Sequence, residues 1–164
     1  MIPARRRFYF CVHTRSHLRI FADTVRRLQS EEFDCRYVDV DDILRLQLGK
    51  AALAAASLSS IPLDVAKAEI EAGDILVVGV DWAPEGFAQL IDSLRRRGIV
   101  AVGCVDGCRF AKEDHYRHVD HVLGWGPSCL EYFPQTGIVV GSPEIEAAWE
   151  ARPRFAEPPF AAVN

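Results

Sequence analysis

Apolar residues in this chain follow two patterns: short unbroken runs, and longer stretches in which they return every three to four positions. The clearest run is 74–82, where Ile75, Leu76, Val77, Val78 and Val80 lie between Asp74 and the pair Asp81 and Trp82. An apolar run with no polar alternate predicts a strand buried on both faces, the kind found in parallel sheets covered by helices on either side. Shorter segments rich in apolar residues predict strands at 7–13, 35–40, 99–105, 120–125 and 137–140. Between the first two of these, Leu18, Phe21, Ala22, Val25 and Leu28 share one helical face, with Ser16 placed as the N-cap. After Pro84, the residues Phe87, Leu90, Ile91 and Leu94 form another such face, which Gly98 closes. Residues 43–72, rich in Leu and Ala, predict two helices separated by a break at 57–62. Shorter helices are expected at 112–118 and 128–133, and Gly141, Ser142 and Pro143 open a last one that reaches Trp149.

Strands alternating with helices specify a three-layer, Rossmann-like α/β domain with a mostly parallel sheet of about six strands. The long connection over 43–72 would carry the chain to the other side of the first strand. The crevice between that strand and 74–82 would then be the topological switch point, where open α/β sheets place their sites. Residues 1–150 fit this one domain. The proline-broken stretch 151–164 reads as a linker leading into a further extended segment, an expectation of a second, C-terminal domain.

Composition narrows the function classes. A hydrophobic content of 49% with 26% charged residues is globular, and a formal net charge of -4 argues against a dedicated nucleic-acid binder. Arginines cluster at 5–7, 26–27 and 95–97, but the last two groups fall at helix ends, where they complement the helix dipole. No run has the length of a transmembrane segment, and the start lacks the apolar core of a signal peptide, so a cytoplasmic location is expected. Five cysteines, an odd number, suggest reduced thiols, with Cys11 and Cys104 as small buried hydrophobes.

Candidate chemistry gathers at the predicted strand exits. No glycine-rich phosphate loop follows the first strand; that place holds His13, Thr14, Arg15, Ser16 and His17. Two imidazoles, a guanidinium and two hydroxyls at a helix N-terminus could bind an anion or a hydroxyl-bearing ligand, and either histidine could act as a general base. The competing interpretation is a polar loop that caps a helix. Asp81 and Trp82 at the next exit suit a sugar or a base, but a capping aspartate and a core tryptophan are the simpler reading. Asp106, Gly107 and Arg109 follow the fourth predicted strand, where Gly107 permits a tight turn and Asp106 could orient or deprotonate a substrate. Cys104, Cys108, His115, His118 and His121 lack the paired spacing of a zinc site, and no metal is expected.

The distal half resembles the end of the N-terminal domain of GT-B glycosyltransferases: the loop after Asp106 and Gly107, then 119–126, then 137–143. The likeness is greatest to the branch holding CDP-glycerol glycerophosphotransferases, capsule transferases and UDP-N-acetylglucosamine 2-epimerase relatives. The front end, a strand followed by 13–17 and a helix, is similar to the acceptor-side opening of such enzymes, whereas 43–72 carries no resemblance. Several of these families place a histidine or glutamate where Asp106 stands. The resemblance implies half of a GT-B architecture, with a CDP- or UDP-linked donor held by a missing C-terminal nucleotide-binding domain and no cofactor in this one. It further implies transfer of a sugar or glycerol-phosphate to a hydroxyl acceptor in cell-surface polysaccharide biosynthesis. His17, His13 or Asp106 would be the base, and Arg15 or Arg109 would offset phosphate charge. Such a domain is expected to be inactive alone. The alternative is a non-catalytic, flavodoxin-like or receiver-like module, in which Asp39, Asp41 and Asp42 would imitate a phosphoacceptor cluster.

Overall fold

A computed structural model of the chain describes residues 6–44, 48–79, 85–105 and 115–141. Among them, seven strands form one sheet in the order β3-β2-β1-β4-β5-β6-β7. The strands are β1 (Arg7–Val12), β2 (Asp34–Asp39), β3 (Ser60–Pro62), β4 (Ile75–Val78), β5 (Val100–Cys104), β6 (His121–Gly124) and β7 (Gly137–Val139). Every neighbouring pair is parallel, with β1 in register against β2 from Arg7 opposite Asp34 to Val12 opposite Asp39. The domain is therefore a Rossmann-like α/β fold, and the chain leaves β3, crosses β2 and β1, and resumes as β4. That reversal puts the switch point between β1 and β4.

Among the described residues five helices flank the sheet: α1 (Arg15–Ser30), α2 (Asp41–Leu44), α3 (Leu48–Ala55), α4 (Leu63–Glu69) and α5 (Glu85–Arg96). Alternation along β1 divides the core. Phe10 and Val12 point into one cluster with Leu18, Phe21 and Val25 of α1 and Leu53 of α3. Tyr9 and Cys11 point into the other, with Ala66 of α4 and Phe87, Leu90, Ile91 and Leu94 of α5. A strand whose successive side chains all meet a helix layer has no use for a polar alternate, and this is the cause of the unbroken apolar runs.

Several expectations are revised. The sheet has seven strands because 43–72 contributes β3 as well as helices. Ser60–Pro62 pairs with Tyr37, Val38 and Asp39, at the edge of the sheet where a proline costs no ladder bond. The segment at 128–133 holds a single 3-10 turn, Pro127–Cys129, and residues 115–118 form turns. The last predicted helix, the linker and residues 112–114 lie outside the described residues.

The amino edge is tied by ion pairs. Asp74, almost fully buried at the start of β4, accepts from the Arg7 backbone N–H (3.1 Å), the Arg7 Nε–H (3.1 Å) and the Glu71 N–H (2.8 Å). Asp120 accepts from the Arg95 guanidinium and the Ala101 N–H. Arg97 donates to the Lys67 and Ile70 carbonyls at the end of α4. Arg95 therefore ties α5 to the start of β6 and Arg97 caps α4, roles beyond the solvated complement to the α5 dipole that their place at a helix end suggested.

Candidate switch-point site

The carboxyl ends of β1 and β4 bring 13–17 against Gly79. β1 ends at Val12, one residue earlier than predicted, and this shifts the start of α1. Thr14, extended at φ -140° and ψ 162°, is the N-cap, and its Oγ1 accepts from the His17 N–H at 3.2 Å. Ser16, the expected cap, lies inside the first turn and is exposed. With no acid in its first turn, α1 leaves the positive end of its dipole uncompensated by its own residues. Arg15 is exposed beside it.

The two histidines form a pair. His13 and His17 meet edge to face, with ring centroids 4.0 Å apart and planes at 74°. His17 is 1% exposed and its ring lies against Gly79, where a Cβ would overlap its Cδ2, Cε1 and Nε2 atoms. Glycine at this exit therefore serves close approach of a side chain to backbone. Burial lowers the His17 pKa to about 4, so its imidazole is neutral at pH 7. His13 is buried as well, at 6%. The structure places Thr14 and His17 in the frame of the loop, and leaves Arg15 and Ser16 on its surface.

Two features complete the frame: a tyrosine not foreseen from the sequence, and Asp41, an acid that the sequence places at a helix start. Tyr116 lies over β5, where Gly103 has no Cβ to obstruct its ring, and its hydroxyl sits 2.6 Å from the Gly79 carbonyl and 3.1 Å from that of Cys104. One hydroxyl proton thus serves the exits of both β4 and β5. Tyr116 takes φ 56°, a left-handed conformation uncommon for a bulky residue. On the other flank, Asp41 accepts from Gly49 N–H (3.0 Å) and Lys50 N–H (2.8 Å), capping α3. Gly49 abuts the Val12 carbonyl and His13 Cα so closely that a Cβ would overlap them. The signals were present in part: a glycine inside an apolar run marks close approach, and an acid before a helix marks a cap.

Asp81, Trp82, Asp106, Gly107 and Arg109 lie outside the described residues. Among the described residues, no group of three or more His, Cys, Asp or Glu side chains could hold a metal ion. Asp41 is occupied with α3, and Asp39 accepts from the Asp41 N–H at 3.0 Å. Cys11 and Cys104 are thiols pushed up to about 12 by burial. No described helix is long and apolar enough to cross a membrane. Compared with known protein families, curated proteins and solved structures, the chain matches none.

Proposed function

We propose that this chain is the acceptor-side domain of a transferase that moves a sugar or glycerol-phosphate from a nucleotide-activated donor to a hydroxyl. The observation that supports this most is the position of His13 at the β1/β4 switch point, braced by His17 and next to the uncompensated N-terminus of α1. His13 is the base in this reading, because His17 is packed against Gly79 and serves to orient its neighbour. Asp106 is the second candidate for that role.

His13 would take the acceptor hydroxyl proton as the oxygen attacks the donor. The bond from the transferred group to the nucleotide breaks, and the nucleotide leaves with the electron pair. The α1 N-terminus and Arg15 would offset negative charge on the transferred phosphate or on a phosphate of the acceptor, with Arg109 a second cation for that task. A phosphate-bearing acceptor or donor group suits this loop better than a neutral one. The CDP- or UDP-linked donor belongs to a separate nucleotide-binding domain. Calorimetric titration of this chain with CDP-glycerol and UDP-N-acetylglucosamine should therefore give no heat of binding below millimolar concentrations. Micromolar binding of either donor to this chain would refute the assignment.

A further inference from the structure

On the outer side of the sheet, α1 and α3 leave a groove of about 720 Å³ between them. Leu18 and Ala22 of α1 form one wall, and Ala51, Ala52 and Ala55 of α3 form the other. Its ends are marked by Leu48 and Leu58, which are 56% and 37% exposed. Two exposed leucines joined by an alanine-lined trough make a continuous apolar surface rather than scattered apolar residues. The charged residues that line it, among those described, are both cations: Arg15 and Arg19.

We propose that this groove docks an acidic amphipathic helix of a partner protein. Alanines let a third helix approach closely, and the eight residues of α3 run roughly 12 Å, the reach of apolar anchors at i, i+4 and i+7 on such a helix. Glu and Asp beside those anchors would meet the cations at the rim. A second copy of this chain is a poor occupant, since a two-fold axis through the groove would bring Arg15 and Arg19 of both copies into one interface with no acid lining the groove to pair them. An acyl chain is disfavoured because the leucine lips face solvent and would leave it half wet. A helix covers them while keeping its own polar face in water. Arg15 also belongs to the first turn of α1, so the partner would sit beside the switch-point loop. The docking inference does not depend on the chemistry proposed for that loop.

The test is to select from a displayed library of amphipathic helices against the full chain, with leucines fixed at i, i+4 and i+7 and all flanking positions random. Enrichment of Asp and Glu at the flanks is expected, with affinity for the selected peptides falling at least about tenfold in Arg19→Glu and in Ala55→Trp. Arg19 and Ala55 are both exposed, and far-UV circular dichroism identifies any variant that fails to fold. No enrichment, neutral or basic flanks, or unchanged affinity in folded Arg19→Glu would overturn the proposal. Binding to phosphatidylglycerol vesicles with no peptide selected would overturn it too, and would assign the groove to lipid.

Discussion

A histidine in the core is a pH-sensitive component of stability, and His17 is such a residue. Its folded pKa of about 4 lies below the ordinary value of 6.5, so the unfolded chain binds the proton more readily. The stability that depends on neutral His17 is fully present above pH 6.5 and is lost as the pH falls toward 4. The size of the loss is on the order of 3 kcal/mol. Urea midpoints at pH 7.5 and pH 4.5 should differ markedly less in His17→Phe than in the natural chain; an equal difference would show that His17 does not titrate in this way. The place of His17 after a strand made it a candidate in the sequence, but its burial was not legible there. The signal was its spacing: it stands four residues before Phe21 and eight before Val25, on the buried stripe of α1.

At the scale of elements, hydroxyl and carboxylate caps fix where the helices begin. Thr14 holds the His17 N–H, so Thr14→Ala should cost about 1 kcal/mol in chemical denaturation, whereas Ser16→Ala should change stability by only a few tenths. The reverse order would restore Ser16 as the cap. Tyr116→Phe removes the one hydroxyl shared by the Gly79 and Cys104 carbonyls, both at strand ends, and should destabilise the chain by about 1–2 kcal/mol. A neutral result would mean that water replaces the bond. Strands β1, β4 and β5 could be read from the sequence because burial on both faces writes itself as an apolar run, whereas β2 carries Arg36 and Asp39 and showed only through Tyr37, Val38 and Val40. β3 could not, since Ser60, Ile61 and Pro62 have turn-like composition and become a strand only through pairing with β2. Ser16 was expected in place of Thr14 because the cap depends on where β1 ends, and sequence patterns locate such boundaries poorly.

For the whole molecule, the order β3-β2-β1-β4-β5-β6-β7 converts a list of elements into a site. The first predicted strand and the 74–82 run are neighbours, as expected for the switch point, and 13–17 meets Gly79 there. Tyr116 was out of reach of the sequence because its partners are 37 and 12 residues away, and no local pattern records contacts of that separation. The proposed function requires this crevice to receive a phosphate-bearing hydroxyl acceptor and not the nucleotide. Backbone amide NMR of the labelled chain, titrated separately with glycerol 3-phosphate, CMP and UMP, tests it most directly. Shifts confined to residues 13–18 and Gly79 with glycerol 3-phosphate, and none there with either nucleotide, are the predicted result. Nucleotide-induced shifts at 13–18, or glycerol 3-phosphate shifts only elsewhere on the fold, would contradict it.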